Sequence, residues 1–333
     1  MSKIEVIEVG PRDGFQSVKC APPIATELKL EVIDKMVAAG VKHIEYTSFV
    51  SPKAIPQLAD AKTVTEAVLK KYPDLDLLAL VPNLRGAQNA YELGLRKVCY
   101  VVSLSKSHNK ANINRTHEQS LEAYKEIRTA YPDLDVVVDL ATTFGCPFEG
   151  KYDDPEAVVK FLKDYEDAGM TTCCLCDTIG IADPAQVKAV INALKAAYPT
   201  LNIQVHFHDT RGLGMVNTMA AIECGITNVQ SALGGLGGCP FAPGASGNLS
   251  TEDMIWMLNE MGYVSISQGY WQRRNIRWII FLEIIADIIS ILNRKPRVNI
   301  KVISTISKNA LSFHFEAQGV FTLQKGFVFK KTY

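Results

Sequence analysis

Two histidines separated by one residue lie in the segment His206-Phe207-His208-Asp209, at the end of a short apolar run. Such a run is typical of the end of a β-strand, where alternate side chains point to opposite faces, so both imidazoles emerge on one side. Two imidazoles held one pleat apart can chelate a divalent metal ion. They could instead be ordinary buried histidines, but their pairing and the aspartate that follows favour a metal site.

A glycine-rich loop over residues 234–248 is the second stretch whose composition suggests chemistry, and it contains one cysteine, Cys239. Glycine lets a backbone approach a ligand closely and lets a loop move. A thiol in such a polar, partly exposed place can have a tuned pKa. We interpret the loop as a lid on which Cys239 does acid–base or nucleophilic work; the alternative is a nest for phosphate or another anion.

The elements that must position these residues alternate between strand and helix. Apolar or period-two runs predict strands at 4–9, 43–48, 76–81, 97–103, 135–143, 171–178, 202–210 and 228–233. Helical periodicity and capping residues predict helices between Thr26 and Gly40 and at 56–72, 84–93, 116–131, 154–168, 183–198, 213–224 and 249–261.

Strict alternation of this kind requires parallel strands joined by helical crossovers. Eight such units over about 260 residues match a closed (β/α)8 TIM barrel of the α/β class. A doubly wound open sheet is the alternative. It usually carries a G-x-G-x-x-G turn after its first strand, and Gly10-Pro11-Arg12-Asp13-Gly14 differs from that pattern.

Polar residues that follow the predicted strands converge on one mouth, because TIM barrels carry their chemistry at the carboxyl ends of the strands. These residues are Arg12, Asp13, Gln16, Glu45, Thr47, Ser48, Asn83, Ser103, Ser105, Thr142, Thr143, Asp177, Thr178, His206, His208 and Asp209. We expect Ser48, Thr142, Thr143 and Thr178 to cap helices or pack. Arg12, Asp13 and the two histidines are expected to belong to the site.

Composition narrows the possible partners. The 333 residues include 35 lysines and arginines against 35 aspartates and glutamates, and no long basic stripe is present. Nucleic acid and acidic membrane surfaces are therefore not expected as partners. Most of the eight cysteines lie in apolar runs, as buried free thiols do in a reducing compartment. The chain enters a strand almost at once, without a recognisable targeting peptide, so we expect a cytoplasmic protein.

Six motifs occur in order along the chain, and together they resemble the 3-hydroxy-3-methylglutaryl-CoA lyase family. The motifs are residues 9–16, 44–52, 145–150, 177–180, 206–210 and 235–240. The resemblance covers about residues 3–262, with a weaker echo to residue 297. This family belongs to the metal-dependent TIM-barrel lyases and acyl-CoA synthases. The cysteine-containing loop favours the lyase branch over the isopropylmalate, homocitrate and citramalate synthases.

The resemblance implies a divalent metal, Mg²⁺ or Mn²⁺, although two imidazoles would also suit Zn²⁺ or Fe²⁺. Its implied ligands are Asp13, His206, His208 and Asn248. The implied catalytic residues are Cys239, Asp13, Arg12 and His206. The implied substrate-binding residues are Arg12, Gln16, Glu45 and Asp177.

The implied reaction is a retro-Claisen cleavage of an acyl-CoA, 3-hydroxy-3-methylglutaryl-CoA (HMG-CoA), into acetyl-CoA and acetoacetate by a homodimer. A metal ion would polarise the substrate oxygens, and Arg12 would stabilise the enolate of the departing acetyl-CoA. Three alternatives remain open. They are cleavage of a related 3-hydroxyacyl-CoA, a Claisen-type synthase of the same superfamily, and a non-catalytic scaffold, against which the intact set of site residues argues.

Two positions depart from the family pattern. Val137 stands near where the best-known lyases carry an arginine, and Asp139 stands where an aromatic residue is expected. Both changes predict that the distal carboxylate of the substrate is held differently or is absent.

The C-terminal region, residues 263–333, departs further from the family pattern than the barrel domain at residues 1–262. Three interpretations stay open: a divergent extension, an interaction element, or sequence altered by a change of reading frame. Charged residues interrupt the apolar stretch 273–294, so it is interpreted as an amphipathic helix and not as a membrane span. After residue 297 polar and apolar residues alternate, as in 321–323 and 327–329, which predicts strands or a hairpin.

Overall fold

The computed structural model describes residues 3–18, 22–238, 247–263, 300–307 and 310–317. The chain divides into two compact units, Met1–Phe281 and Leu282–Tyr333. The domain boundary that the sequence suggests, between residues 262 and 263, stays a prediction.

Eight parallel strands close into a barrel in the first unit, which confirms the predicted (β/α)8 fold. Around the barrel the strands follow the order β1-β10-β9-β8-β5-β4-β3-β2, and β10 closes it by pairing with β1. The barrel strands are β1 Glu5–Glu8, β2 His43–Ser48, β3 Asp76–Leu80, β4 Lys97–Ser103, β5 Asp135–Ala141, β8 Thr172–Asp177, β9 Asn202–Phe207 and β10 Asn228–Ser231.

Helices follow the barrel strands and cover the outside of the barrel. They are α1 Thr26–Ala38, α2 Ala61–Lys71, α3 Leu84–Glu92, α4 Lys106–Ile113, α5 His117–Ala130, α6 Pro155–Asp167, α7 Pro184–Ala197, α8 Gly214–Glu223 and α9 Thr251–Glu260. Six of them begin where a polar side chain accepts a hydrogen bond from the first turn: Asn83, Ser105, Thr116, Asp154, Asp183 and Ser250. Such caps fix where a helix starts because they satisfy otherwise unpaired backbone donors.

The local structure differs from the sequence-based expectation in four places. Helix α4 stands between β4 and α5, where a loop was expected; its sequence is mostly polar and gives no apolar stripe. The helix expected at 56–72 is a short 3₁₀ turn, Pro56–Leu58, followed by α2. Strands β6 Gly145–Cys146 and β7 Gly150–Lys151 form a small hairpin after β5. Gly10–Gly14, which follows the first strand and shows no helical pattern in the sequence, is a π-helical turn.

The barrel interior is filled by apolar side chains from several strands, as parallel barrels require. The central cluster consists of Ile7, Val9, Leu78, Cys99, Val137, Cys174 and Ala232. Val137 is fully buried here, so the position of the missing arginine belongs to the packed interior. The polar site residues lie beyond this apolar cluster, at the carboxyl ends of the strands.

The second unit contains two described strands, β11 Ile300–Ser307 and β12 Ala310–Ala317, which pair in antiparallel fashion. This agrees with the strands or hairpin predicted after residue 297. The predicted amphipathic helix at 273–294 and the alternating stretches at 321–323 and 327–329 lie outside the described residues. Among the helices of the described segments, none has the length and apolar character needed to cross a membrane.

Candidate metal centre and active site

Three residues at the barrel mouth place metal-binding atoms close together. His206 and His208 lie at the end of β9 with ring centroids 5.2 Å apart, and Asp13 lies in the π-helical turn after β1. One ligand atom from each of the three lies within 4.8 Å of the others. We call Asp13, His206 and His208 the histidine cluster. Barrel closure brings the cluster together, because β1 and β9 both flank β10.

Asn248 completes the surroundings of the histidine cluster. The segment around it returns to the end of β9, so that Asn248 lies opposite His208 in an isolated β-bridge. Its side-chain Nδ2 donates to Asp13 Oδ2 at 2.7 Å and to the Leu236 carbonyl oxygen at 2.8 Å. Gly237 has a φ of +121°, and a Cβ there would collide with the Asn248 side chain. The glycine therefore lets the loop backbone pass directly over the cluster.

Two buried polar atoms at this centre have no partner in the part of the chain that the structure describes. Asn248 Oδ1 and His208 Nδ1 are buried, and neither has a hydrogen-bond partner among the described residues. Buried polar atoms are normally satisfied, so an unpaired acceptor next to a carboxylate indicates a missing cation or donor. One carboxylate, two imidazoles and one amide oxygen are a donor set that fits a divalent metal ion.

The charges at the histidine cluster also suit metal binding. Burial raises the pKa of Asp13, but the neighbouring Arg12, His206 and His208 lower it by more, so the net pKa lies below the usual value. Burial, and then the proximity of His206, lower the pKa of His208 to about 4. Asp13 is therefore an anion and His208 a neutral imidazole near neutral pH, which are the forms that bind metal ions.

Gln230 is a site residue that the sequence reasoning missed. It pairs with His206 across the β9–β10 ladder, and His206 Nδ1 lies 2.9 Å from Gln230 Oε1. Because an amide oxygen only accepts, Nδ1 carries the hydrogen and Nε2 is left free to bind a metal ion. The available signal was a polar residue at an inward-facing position of the last barrel strand.

Arg12 is fixed by carboxylates on both sides. Its Nε and Nη2 donate to the two Glu45 carboxylate oxygens at 2.5 and 2.9 Å, and its Nη1 donates to Asp13 Oδ1 at 2.8 Å. Burial lowers the pKa of Arg12, but Glu45 and Asp13 raise it by more. A bidentate pair of this kind orients the guanidinium as well as neutralising it. The resemblance implies that Glu45 binds the substrate, which stays a prediction; the structure shows Glu45 as the residue that holds Arg12.

A second group of ligand-type side chains lies beside Glu45. Glu45, Cys99 and Asp139 are all buried, with one ligand atom of each within 4.8 Å of the others, and we call them the carboxylate cluster. Burial, and then Glu45, raise the pKa of Cys99, so the thiol stays protonated and donates to Glu45 Oε1 at 3.0 Å. Asp139 Oδ1 is buried without a hydrogen-bond partner among the described residues.

The remaining predicted site residues occupy different places. Gln16 donates to Asp13 Oδ1 at 2.6 Å and lines the mouth. Asp177 instead accepts hydrogen bonds from the backbone of Ile181 and Ala182, at 3.0 and 3.1 Å, and is not among the described lining residues. Its contact with the substrate stays a prediction. Cys239 lies outside the described residues, so its role also stays a prediction.

Three of the hydroxyl residues expected to cap or pack hold the loops around the mouth. Thr142 donates its backbone N–H to Thr178 Oγ1 at 2.7 Å, and its own hydroxyl accepts from Ser105 N at 3.1 Å. Thr143 Oγ1 donates to the Leu140 carbonyl oxygen at 2.6 Å. Thr142 has a φ of +57°, which is rare for a β-branched residue. Its two hydrogen bonds hold this strained conformation in place.

A cavity of about 300 Å³ joins the two clusters at the barrel mouth. It is lined by Arg12, Asp13, Gln16, His206, His208 and Gln230, and by Asp139 from the carboxylate cluster. Apolar residues such as Leu80 and Val101 form much of the remaining wall. A mostly apolar cleft with a few convergent polar groups is typical of a small-molecule site.

Comparison with known proteins agrees with this geometry. The HMGL-like family model matches residues 3–275. The chain belongs to the HMGL-like family. This member is 43% identical over 262 residues to the hydroxymethylglutaryl-CoA lyase YngG of Bacillus subtilis, covering 78% of this chain and 86% of that protein. It is 37% identical over 262 residues to the mitochondrial hydroxymethylglutaryl-CoA lyase of Homo sapiens, covering 78% and 79%.

Solved structures of family members have the same fold. The HMG-CoA lyase of Bacillus subtilis superimposes with a TM-score of 0.76 at 39% identity, covering 87% of this chain and 94% of that one. The HMG-CoA lyase of Acinetobacter baumannii, determined with coenzyme A and 3-methylmalate, gives a TM-score of 0.75 at 39% identity, covering 84% and 91%. As a member of this family, the chain is an enzyme of the carbon–carbon lyase type.

Proposed function

We propose that this enzyme cleaves HMG-CoA to acetyl-CoA and acetoacetate with the help of a divalent metal ion. The observation that carries the proposal is the histidine cluster, whose three residues line the same cavity as Arg12. Asn248 donates to Asp13 of this cluster, and its buried Oδ1 has no hydrogen-bond partner among the described residues. Relatives at 37–43% identity are named as lyases for this substrate, and one solved neighbour was determined with coenzyme A. These names support the choice of an acyl-CoA substrate.

Mg²⁺ or Mn²⁺ is the metal ion that we propose. Asp13, His206, His208 and Asn248 Oδ1 would hold it, with His206 oriented by Gln230. When bound, a divalent ion supplies Lewis-acid polarisation of the substrate oxygens. The oxygen donors of Asp13 and Asn248 suit Mg²⁺ and Mn²⁺, whereas imidazoles also suit softer ions.

Arg12 provides the fixed positive charge for the reaction. Glu45 binds its Nε and Nη2, which leaves the Nη1 edge at Asp13 on the cavity wall. From there it can donate to the thioester oxygen while that oxygen gains negative charge as the carbon–carbon bond breaks. A donor that is already oriented costs no reorganisation at the moment of reaction.

Two protons must move, one from the tertiary hydroxyl and one to the departing acetyl carbon. Asp13 has a pKa below the usual value, so it is present as a carboxylate and is a weak base. We therefore assign Asp13 mainly to metal binding. Cys239 and His206 remain the candidates for the proton transfers, and Cys239 lies outside the described residues.

The test is to incubate the purified full chain with HMG-CoA and either Mg²⁺ or Mn²⁺, and to assay both acetoacetate and acetyl-CoA. We expect equal amounts of the two products and loss of turnover after treatment with a chelator. Absence of acetoacetate with both metals would contradict the proposal. Consumption of acetyl-CoA in the presence of a 2-oxo acid would identify a synthase instead.

The homodimer and the cytoplasmic location stay predictions.

A further inference from the structure

Asp139 is a buried carboxylate for which the proposed chemistry has no use. It is 4% exposed, lines the cavity, and its Oδ1 has no hydrogen-bond partner among the described residues. Burial of such a group without a partner is costly, so it indicates either a functional contact or a ligand that is bound there. Its strand partners across the barrel ladder, Val101 and Cys174, provide no charge.

The cavity offers no spare cation to this carboxylate. Arg12 is the one arginine or lysine among the described residues that line the cavity. Its positive charge is already balanced by Glu45 and Asp13, which accept hydrogen bonds from three of its nitrogens. An anionic group on a substrate that meets Asp139 would therefore receive no counter-ion from the described side chains, and its compensation would come only from the metal ion proposed at the histidine cluster.

We expect the distal end of the acyl group to come within reach of Asp139. In HMG-CoA the distal carboxylate is separated from the reacting carbon by one methylene, so it stays within a few ångströms of the histidine cluster. Arg12 spans the distance from Asp13 in that cluster to Glu45, which lies beside Asp139. The side chain at position 139 is thus placed to contact the group at the end of the acyl chain.

We propose that Asp139 is a specificity-determining residue that favours acyl groups ending in a hydroxyl over those ending in a carboxylate. The inference rests on the proposed lyase activity and concerns the acyl group that the same site prefers. A hydroxyl can donate to a carboxylate and accept from a carboxylic acid, so it satisfies Asp139 in both protonation states. A carboxylate can pair with Asp139 only when a proton lies between them.

The environment of Asp139 is consistent with this role. Burial, and then the proximity of Glu45, raise the pKa of Asp139 to about 7, and the opposing effects of Arg12 and of a hydrogen bond with Cys99 only partly offset this rise. A distal hydroxyl would supply the hydrogen bond that is missing at Oδ1. Hydrogen bonds to an ionised acceptor are shorter and stronger than neutral ones, so this contact can discriminate between substrates.

Two thioesters that differ only at the distal group test the proposal. One is HMG-CoA, and the other is 3,5-dihydroxy-3-methylpentanoyl-CoA, in which a hydroxymethyl group replaces the carboxylate. In the second, the bond between C2 and C3 breaks, the C3 hydroxyl loses its proton to become a ketone, and C2 gains a proton. The products are acetyl-CoA and 4-hydroxybutan-2-one, so acetyl-CoA release measures both reactions.

The measurement is the ratio of kcat/KM for the hydroxyl substrate to kcat/KM for HMG-CoA, on the alkaline side of the Asp139 pKa. Asp139→Asn keeps the size of the side chain and removes its charge. We expect the ratio to fall by at least roughly tenfold in this variant, because like charges placed together are strongly unfavourable. Asp139→Leu should shift the ratio in the same direction and serves if the asparagine variant folds poorly. Asp135→Asn, at the exposed start of the same strand, is the matched control and should leave the ratio unchanged.

A ratio that stays within about threefold of the parent value in both Asp139 variants overturns the inference. If HMG-CoA is not cleaved but the hydroxyl substrate is, the proposed substrate fails and the inference gains support. If neither is cleaved, the proposed function fails. In that case the ratio of the Kd values for the two thioesters is measured by calorimetry in the parent and in both Asp139 variants. A ratio that stays within about threefold of the parent value again overturns the inference.

Discussion

The histidine cluster and the carboxylate cluster have a similar arrangement of ligand-type side chains, but they differ in whether a protein cation is already bound to them. Each brings three ligand-type side chains within 4.8 Å of one another at the same barrel mouth. In the carboxylate cluster the Arg12 guanidinium already binds both Glu45 oxygens. In the histidine cluster the neighbouring Asn248 and His208 keep buried lone pairs without a described partner. Proximity of ligand atoms is therefore insufficient to identify a metal site; what matters is whether the protein already supplies the cation.

The difference originates in a single residue and its neighbour along the chain. Arg12 and Asp13 are consecutive in the π-helical turn after β1, so the turn delivers one cation to Glu45 and one anion to the histidines. A buried charge requires a partner, and each cluster would be unstable without the group that this turn contributes. The turn thus sets the charge of both clusters at once.

The largest expected effect comes from removing the cation of the carboxylate cluster. Arg12→Met preserves much of the side-chain volume but leaves the buried Glu45 carboxylate without its counter-ion. We expect the free energy of unfolding to fall by about 3–5 kcal/mol, measured by urea denaturation near neutral pH. The double variant Arg12→Met/Glu45→Gln should recover part of this loss, since it removes the stranded charge. A single variant as stable as the parent would show that the pair does not hold the site together.

Removing an imidazole should affect binding and leave folding almost unchanged. In His206→Ala or His208→Ala, most of the bound divalent ion and most of the turnover should be lost. Loss of an orienting partner alone costs about 10–100-fold, so loss of a direct ligand should cost more than about 100-fold. Elemental analysis and the melting temperature provide the two readouts. His43→Ala is the matched control, because His43 is the first residue of β2 and the barrel mouth lies at the carboxyl ends of the strands. Full metal occupancy in both site variants would remove the histidine cluster as the metal centre.

Much of the histidine cluster could be predicted from the sequence, because the spacing of His206 and His208 follows directly from strand periodicity. The pairing of Arg12 with Glu45 could not be predicted, since it depends on how β1 and β2 twist against each other. The contact of Asp177 with the substrate stays a prediction, and the sequence did not show that its carboxylate accepts hydrogen bonds from the backbone of its own loop. Nor could the sequence show whether Val137 packs in the interior or faces the cavity, because alternation along a buried strand leaves no polar marker.

Cys239 provides a test of whether the glycine-rich segment at residues 234–248 takes part in the chemistry. Cys239→Ser keeps the size and hydrogen bonding of the side chain but raises its pKa far above about 8.5, the value of a free thiol. If the thiol transfers a proton in the rate-limiting step, kcat should fall by about 100-fold or more. Metal content and melting temperature should stay close to those of the parent. Near-normal kcat in this variant would leave His206 as the candidate for proton transfer.

A smaller effect is expected at Gln230, which touches the histidine cluster from outside. Gln230→Leu removes the acceptor for His206 Nδ1 without creating a cavity. The free imidazole can then adopt either tautomer, so the affinity for the metal ion should fall by about 10–100-fold. Titration with Mn²⁺, followed by the electron paramagnetic resonance signal of the free ion, measures the affinity directly. Gln204→Leu, one pleat earlier on β9, is the control, and an equal loss of affinity there would indicate a general packing effect.

The smallest expected effect concerns Asp139, in the carboxylate cluster. Its folded-state pKa is raised from 3.8 to about 7, chiefly by burial, so between these values the folded state binds more protons than the unfolded state. Stability contributed by this group is therefore fully present at low pH and is lost as the pH rises towards about 7. In Asp139→Leu that loss disappears, so above pH 7 the variant should be more stable than the parent by roughly 1 kcal/mol or more. Urea unfolding of both proteins across this pH range gives a difference curve in which unrelated groups cancel. A difference that is flat with pH, as expected for the Asp135→Asn control, would show that Asp139 is paired in the folded protein and that the carboxylate cluster is fully satisfied.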